Sequence, residues 1–593
     1  MKGIFTITRI GIFFYLLSLF SCKTESCDKS FLKDELNGHE FIRLNQVGYF
    51  SGSIKKFAVV ETGSSEFFIY DTTGKEVYKG LLKDEGHWAP SNENIKTGDF
   101  TDFIQLGKYT IYVPGKGRSY AFEISNDLYT NSLTRSLKTY YFQRASLELE
   151  EKFAGIYKRP LGQPDTMVYF HNTTGVKEVK GKRLSKNGSK GWYDAGDLNK
   201  YIVNAGVTVG MMYVMYNNYQ TLFQDSQLNI PESGNGVSDL LDEIRWEMDW
   251  VLTMQDPDGG VYHKLSELDW QWAVMPHMWN DKERFFIGKS TASALNFVSM
   301  CAMTARVFRN VDSAYANKNL AAAKKAWDWS MKNPNVLAID GYGVNSGAYD
   351  DKDLKDEFVW AASEMYVTTS EQVYLEYLNA NIFNPKFEVC AWRTFMSNIG
   401  YYSLLSNESK LEQSKKDKIK NDFIALANNL VDTVNASPYG LPSSIFEWGS
   451  NSEMLNRAIL ISFAYELTKD KKYLDATVRM MDYILGNNAI GITYVTGEGS
   501  NYPLRPHHRQ CFADGIDEPI PGFLVGGPNF KREDDVDKHC PSCKTDYLKE
   551  FPATSYVDHF HSYASNEVTI NWNASYAYIL SVIQAHKDEL IKK

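Results

Sequence analysis

The chain has 593 residues, of which 43% are hydrophobic and 23% are charged, as is typical of a folded protein. Lysine and arginine total 63 against 73 aspartates and glutamates, so the formal net charge is −10. This balance, without a clustered basic stripe, argues against a nucleic-acid partner, because such binding depends on a cationic surface. The length exceeds one ordinary core but suits one large helical domain with a small module.

The first 22 residues have the pattern of an export signal. Lys2 and Arg9 precede an apolar run over residues 10–20, which is too short to span a bilayer. The run ends in Ser21 and Cys22, as in bacterial lipoprotein signals, although a plain secretory signal is the alternative. We therefore predict lipidation of Cys22, a linker over residues 23–38, and an exported protein anchored by lipid. It would face the periplasm or the cell surface.

Residues 39–127 alternate short strands with glycine-containing turns. Residues 67–70 and 76–78 flank one such turn, and residues 109–113 and 120–124 flank another. This pattern predicts a small β-sandwich.

Residues 128–593 are dominated by helical patterns. One apolar helix face runs through Val237, Leu240, Leu241, Ile244, Met248, Val251 and Leu252. Further helices are predicted over residues 292–307, 321–331, 455–467 and 474–485, with Ser290 or Thr291 capping the first and Gly486 ending the last. The helix over residues 292–307 is apolar on most sides and is expected to be enclosed. Helices joined by long aromatic, glycine-rich loops favour a toroid whose loops build a cleft.

Four further cysteines carry predictions from their surroundings. Cys301 and Cys390 lie in apolar surroundings and are expected to be buried thiols. Cys540 and Cys543, next to His539, form a lone C-x-x-C pattern that fits either a zinc site or a local disulfide.

The segment GWYDAGD, residues 191–197, places two acids three residues apart beside two aromatic side chains. Asp194 and Asp197 could cap a helix. They could also form a site where one carboxylate stays ionised and the other positions what it acts on. Trp192 and Tyr193 could pack on a sugar or in the core.

Two later segments carry further candidate groups. Glu567 begins an apolar segment that reads as helical, so it is either a capping-box residue or a catalytic acid with a raised pKa. His507, His508 and Arg509 could hydrogen-bond hydroxyl groups, form surface ion pairs or hold a metal.

Taken together and in this order, these segments resemble glycoside hydrolase family 9, the inverting cellulase family. Similar blocks lie at residues 239–246, 259–264, 356–362, 448–451 and 521–529. Residues 45–49 resemble the opening of the immunoglobulin-like module that precedes the barrel in one branch of the family. The resemblance extends over residues 40–585.

The resemblance implies a mainly α fold, an (α/α)6 barrel over residues 128–593 preceded by an immunoglobulin-like sandwich over residues 39–127. It implies that Asp197 is the general base, that Asp194 helps hold the attacking water and that Glu567 is the general acid, with Asp558 supporting it. His507 and Arg509 match sugar-binding positions, and Trp192, Tyr193 and Trp448 are the expected aromatic contacts to substrate. No cofactor is required, but members often bind calcium, and Asp356 and Glu357 align with the calcium loop, with Asp350 and Asp351 nearby.

The expected protein is a monomeric, endo-acting, inverting β-1,4-glucanase that hydrolyses xyloglucan, mixed-linkage glucan or cellulose-like chains. One alternative is an exo-acting glucosaminidase of the same family acting on chitooligosaccharides, for which the insertion over residues 531–551 would block one end of the cleft. Another is a catalytically dead, lipid-anchored glycan-binding protein, against which the intact Asp194, Asp197 and Glu567 argue.

Overall fold

The computed structural model describes residues 38–338, 341–381, 396–534, 536–544 and 551–592. The predicted signal segment, most of the linker, Cys22 and Cys390 lie outside the described residues. The described part consists of a β-sandwich followed by a helical barrel, as the sequence predicted.

The sandwich consists of two facing layers of strands, and one long strand contributes to both layers. Glu76–Trp88 pairs through its first half with Glu66–Asp71 and through its second half with Glu93–Asp99. Phenylalanine and isoleucine side chains from both faces fill the core between them, including Phe57, Phe67 and Ile111. The other strands are Ile42–Arg43, Gly48–Phe50, Lys56–Val60, Gly107–Val113, Gly117–Arg118 and Phe122–Ser125.

The barrel is built from two concentric rings of helices, which gives the (α/α)6 architecture. The inner ring is Ile202–Asn218, Thr291–Val307, Lys355–Thr369, Ser397–Ser406, Ser450–Thr468 and Ile570–Ala585. The outer ring is Thr130–Gln143, Asp239–Thr253, Ser313–Lys332, Gln372–Asn381, Gln413–Ala436 and Lys471–Ile484. The ring closes where Ile570–Ala585 packs against Ile202–Asn218.

The burial of a helix explains whether apolar residues cover most of its surface or only one face. Thr291–Val307 is buried along nearly its whole length, as its apolar surface predicted, and the Ser290 side chain caps it by accepting from the Ser293 N–H at 3.0 Å. Lys471–Ile484 has one apolar face, and Gly486 follows it with φ of 125°. A glycine just beyond a helix end tolerates such a backbone, as the sequence predicted.

A small second sheet lies beside the barrel and positions the GWYDAGD segment. Its strands run in the order Ser185–Lys186, Val168–Phe170, Phe285–Lys289, Tyr262–Ser266 and Lys200–Tyr201. Lys200 and Tyr201 pair antiparallel with Leu265 and Lys264. This pairing places the residues just before Lys200 next to the loop that follows Ser266.

The sandwich is attached to the barrel by buried hydrogen bonds. The Asn45 side chain donates to Asp482 Oδ1 at 2.8 Å and to the Tyr129 hydroxyl at 2.9 Å. Gln46 Oε1 accepts from the backbone N–H groups of Ser500 and Asn501.

For Cys301 and Cys540, the structure can be compared with the sequence predictions. Cys301 is a buried free thiol. Cys540 is disulfide-bonded, which excludes it as a zinc ligand and favours the disulfide alternative. Across the described ranges, no helix combines the length and apolar character that crossing a membrane requires.

Candidate active site

The candidate active site is a cleft of about 860 Å³ at the N-terminal ends of inner-ring helices. Asp194, Asp197 and Glu567 all border it. The structure therefore brings together acids from chain segments that are far apart in sequence.

The GWYDAGD segment is a turn and not a helix start. Residues 194–199 are irregular, a short strand follows at Lys200–Tyr201, and the helix begins only at Ile202. The helix-capping interpretation of Asp194 and Asp197 is therefore wrong. Gly196 lies so close to a neighbouring chain segment that an added Cβ would stand 2.1 Å from the His507 carbonyl oxygen. Only glycine permits this approach.

Gly196→Ala is expected to damage the site, because the turn and the His507 backbone would have to move apart. We expect kcat/KM to fall more than about tenfold and the free energy of unfolding to fall by roughly 1–3 kcal/mol, as for other overpacked sites. Kinetics and thermal denaturation would measure both. Gly63→Ala is the matched control, because its added Cβ would meet nothing within 4 Å. Normal kinetics for Gly196→Ala would contradict the close packing.

Asp197 is surrounded by groups that favour its charged form. Its Oδ2 accepts from Asn199 Nδ2 at 2.7 Å and from the Tyr201 hydroxyl at 3.3 Å. Burial raises the pKa of Asp197, while the nearby Arg509 charge and these two hydrogen bonds lower it.

Asp194 is held on both carboxylate oxygens. Asn204 Nδ2 donates to Oδ1 at 2.7 Å, and the Tyr349 hydroxyl donates to Oδ2. Burial, and then the charge of Asp197, raise the pKa of Asp194 to about 8. The two acids therefore differ, since Arg509 opposes the effect of burial only at Asp197.

Glu567 lies on an extended segment between two helices. Its φ and ψ are −71° and 155°, and the helix that follows is capped by Thr569 and begins at Ile570. The capping-box interpretation of Glu567 is therefore wrong. The segment is extended because its backbone pairs with other loops: the Glu567 carbonyl accepts from Gly526 N–H, and residue 567 forms a parallel bridge with His507.

The surroundings of Glu567 favour its protonated form. Burial, followed by the charge of Asp197, raises its pKa to about 8, while Arg509 and a hydrogen bond with the Trp448 side chain act in the opposite direction. A carboxyl group that keeps its proton at neutral pH can act as a general acid.

His507 and Arg509 both border the cleft. His507 Nδ1–H donates to the Phe560 carbonyl at 2.6 Å, which leaves Nε2 as an acceptor, and burial lowers the pKa of His507 to about 3, so the ring is neutral. Arg509 donates to the Gly196 carbonyl at 2.7 Å and, through Nε and Nη2, to the Gln271 carbonyl. Arg509 therefore also holds the cleft walls together.

Asp558 does not line the cleft itself, but it contacts the segments that lead to His507 and Glu567. Its carboxylate accepts from the backbone N–H groups of Leu504 and Arg505 and from Asn566 Nδ2. Asn566 directly precedes Glu567, so Asp558 ties the acid's segment to the loop that leads to His507. Its place is that of a positioning residue.

The aromatic predictions divide into two groups. Trp192 and Tyr193 are 1% and 2% exposed and are absent from the cleft lining, so their assignment to substrate contact is wrong. The Trp192 ring donates through Nε1 to Glu243 Oε2 at 3.3 Å, and the Tyr193 hydroxyl donates to Gln163, so both rings hold the turn against the protein interior. Trp448 is 41% exposed and lines the cleft, where a sugar can reach it.

The insertion after Asn529 contributes to the rim of the cleft. Lys531, Glu533 and His539 border the cavity. Residues 545–550 of this insertion lie outside the described part, so the structure does not test whether it blocks one end.

Comparison with known proteins identifies the family. Residues 129–580 match the profile of Glycosyl hydrolase family 9, and residues 38–118 match that of the cellulase N-terminal ig-like domain. The chain belongs to glycosyl hydrolase family 9.

Full-length relatives of this family 9 enzyme are glucanases. It is 37% identical over 569 residues to a xyloglucan-specific endo-β-1,4-glucanase of Bacteroides ovatus, covering 92% of this chain and 94% of the relative. It is 32% identical over 551 residues to endoglucanase D of Acetivibrio thermocellus, covering 91% and 83%. Among solved structures, a family 9 protein of Bacteroides ovatus matches with a TM-score of 0.84 at 34% identity, over 92% of this chain and 99% of the other. The protein is a glycoside hydrolase of the endo-β-1,4-glucanase type.

Several cleft residues of the family 9 enzyme were not predicted from the sequence. Tyr201 and Tyr349 each donate to one of the paired acids, and their rings lie 4.6 Å apart. Trp270 and Trp272 are 50% and 74% exposed on the cleft wall. The two tryptophans lie two residues apart and together form an exposed apolar patch of the kind that marks a ligand-binding groove.

The predicted calcium residues form a cluster of acids at the start of helix Lys355–Thr369. Asp356 Oδ2 accepts from the Met396 N–H at 2.7 Å. Both carboxylate oxygens of Glu357 and Oδ2 of Asp351 are buried and receive no hydrogen bond from an N–H or hydroxyl group in the described part of the chain, and Glu357 instead faces the carboxyl groups of Asp351 and Asp356. Orphaned carboxylate oxygens fit a hard divalent cation. No group of three or more His, Cys, Asp or Glu in that part is arranged to hold a metal as it stands, so further oxygen ligands would be needed.

Proposed function

We propose that this family 9 enzyme hydrolyses xyloglucan within the chain, with inversion at the anomeric carbon. Asp197 takes a proton from a water molecule that attacks the anomeric carbon from one face of the sugar ring. Glu567 gives its proton to the glycosidic oxygen as the bond to the leaving chain breaks. Asp194, whose carboxylate is fixed by Asn204 and Tyr349, orients the water.

The observation that carries this assignment is the electrostatic difference between the acids of one cleft. Burial raises the pKa of Asp197, but Arg509 and two hydrogen-bond donors oppose that rise. Burial raises the pKa of Glu567 to about 8, and the negative charge of Asp197 adds to this, while Arg509 acts against it. The charge of Asp197 thus favours the protonated form that Glu567 needs to act as an acid. Because the three carboxyls interact, they titrate as a group.

The xyloglucan preference rests on the similarity to the Bacteroides ovatus enzyme, whose name specifies that polymer. The exposed tryptophans on the cleft wall also support a polymeric ligand, since flat apolar rings suit sugar faces. His507, Arg509 and Trp448 would contact the sugars that flank the cleaved bond.

Product analysis tests the proposed function. Enzyme without residues 1–22 would be given xyloglucan, mixed-linkage β-glucan, carboxymethyl-cellulose or chitooligosaccharides, with product size and solution viscosity followed over time. We expect a fast viscosity drop and mid-chain products on xyloglucan, and NMR should show the α-anomer forming first. Release of monosaccharide alone, or activity confined to chitooligosaccharides, would favour the exo-acting glucosaminidase. Absence of turnover on all four would favour a glycan-binding protein.

We further propose a structural calcium ion at Asp356 and Glu357, with Asp351 nearby and with further oxygen ligands completing the site. An ion bound well above its Kd would stabilise the fold, so chelation with EGTA should lower Tm by roughly 5 °C. Added calcium should restore it, whereas magnesium should do so poorly, because magnesium demands a near-octahedral set of short ligand bonds and gives up its water reluctantly. Glu357→Gln should no longer respond to EGTA. An unchanged Tm after chelation would refute the site.

We also propose that the protein is a monomeric lipoprotein anchored through Cys22. Cys22→Ser should move it from the membrane fraction to the soluble fraction of cells and abolish labelling by a fatty-acid probe. A labelled or membrane-bound Cys22→Ser variant would contradict the anchor.

A further inference from the structure

The loop with the two exposed tryptophans is joined to the acid turn by one side chain between them. Gln271, between Trp270 and Trp272, is itself 4% exposed. Its Nε2 donates to Asn199 Oδ1 at 2.9 Å, and its Oε1 accepts from the Leu198 N–H at 3.2 Å. The loop therefore presents aromatic rings to the cleft and turns a polar side chain inward.

Asn199 is the other half of this connection. It is fully buried, and its Nδ2 donates to Asp197 Oδ2 at 2.7 Å. Its Oδ1 accepts from Gln271 and from the Glu267 N–H, and its backbone carbonyl accepts from the Asp194 N–H at 3.0 Å. One asparagine thus contacts the base, the backbone of the second acid and the tryptophan loop.

The orientation of the Asn199 amide is determined by its partners. Asp197 accepts a hydrogen bond, whereas Gln271 Nε2 and the Glu267 N–H donate, so Nδ2 must face Asp197 and Oδ1 must face the loop. If the loop withdrew its donors, the amide could rotate and present its oxygen to the Asp197 carboxylate. The loop donors and the Asp197 carboxylate therefore favour the same orientation of the Asn199 amide.

We propose that Asn199 and Gln271 are positioning residues through which the loop bearing Trp270 and Trp272 holds the general base Asp197 in its working orientation. This inference rests on the proposed function, in which Asp197 is the base. Neither residue needs to touch the reacting atoms, because both act through the Asp197 carboxylate. A change in the conformation of this loop would therefore alter the orientation of the Asp197 carboxylate through two hydrogen bonds.

The test uses Asn199→Ala and Gln271→Met in the full protein, with steady-state kinetics on soluble glucan across pH. Asn199→Ala removes a hydrogen bond to an ionised carboxylate, so we expect kcat to fall roughly ten- to hundredfold with KM within about twofold. Asp197 must be ionised to act. Losing a donor to the charged form raises its pKa, so the acidic limb of the kcat profile moves to higher pH.

Gln271→Met preserves side-chain length and leaves Asp197 untouched, yet it should shift the acidic limb in the same direction with a smaller loss of kcat. The double variant should resemble Asn199→Ala alone, because the two residues act in series. Asn345→Ala is the matched control. It removes a side-chain bond to Asp269 of the same loop, away from the base, and should leave the acidic limb in place.

Every outcome of these kinetic measurements either supports or contradicts the proposal. An acidic limb that stays in place in both variants, losses that multiply in the double variant, or an equal shift in Asn345→Ala would overturn it. If Asn199→Ala fails to fold, Gln271→Met alone decides. Asp197→Asn, measured alongside, separates the two hypotheses: near-normal turnover there would refute the base assignment, whereas an inactive Asp197→Asn with a normal Asn199→Ala would refute only the link.

Discussion

Asp197→Asn is expected to lower kcat by about 10²–10⁴-fold, the usual range for loss of a general base. Asparagine keeps the size of the side chain and can still accept from Asn199, but it cannot take a proton from water. Substrate affinity should therefore change little. Sugar release would measure kcat, and calorimetry with a soluble oligosaccharide would measure binding.

The control for this variant is Asp281→Asn, the same substitution at an exposed aspartate. Azide offers a second check, since a small anion that needs no deprotonation should restore part of the turnover of Asp197→Ala and give a glycosyl azide. If Asp197→Asn retained most of its activity while Asp194→Asn lost it, the roles of the two acids would be reversed.

Glu567→Gln is expected to abolish hydrolysis of natural glucan, because the leaving sugar needs a proton. On aryl glycosides with acidic leaving groups the loss should be far smaller, since such groups leave without protonation. The ratio of the two activities is the diagnostic quantity. Glu148→Gln, at an exposed position, is the control. Equal losses on both substrates would indicate that Glu567 does not protonate the leaving group.

The raised pKa of Glu567 also predicts a pH dependence of activity and stability. As the acid must be protonated, activity should fall as pH rises through about 8. The folded-state pKa lies above the unfolded value, so the stabilising contribution is complete below the unfolded pKa and is lost as pH rises through about 8. Glu567→Gln should therefore have a higher Tm than the parent at pH 9 and a similar Tm at pH 5. A parent that is more stable than the variant at pH 9 would contradict the raised pKa.

Local patterns were enough to predict much of the architecture. The burial of the helix Thr291–Val307 was predicted because a helix that is apolar on most sides needs protein around it, and Ser290, one of the two predicted caps, is the cap. Glu567 was placed at the start of a helical segment because the apolar residues Val568, Ile570 and Trp572 follow it. The structure shows an extended segment there, since its backbone pairs with Val525, Gly526 and His507. Such pairing joins distant loops and leaves no local signal.

The same limit applies within the candidate site. The acids of the candidate site could be identified through a family resemblance. The burial of Trp192 and Tyr193 could not, because it depends on how the turn packs against the barrel. The contacts between Asn199, Gln271 and Arg509 depend on loop proximity and could not be predicted from spacing.

The contacts that close the inner ring of helices affect the order in which the enzyme folds. The Tyr140 hydroxyl donates to the Ile570 carbonyl across 430 residues of sequence, and helix Ile570–Ala585 completes the ring against Ile202–Asn218. Contacts this distant in sequence form late and slow folding, and an incomplete ring exposes apolar helix faces. Glu567, the proposed general acid, directly precedes this closing helix. Under that proposal the enzyme stays inactive until the helix docks, and the step that completes the core also brings Glu567 to Asp197.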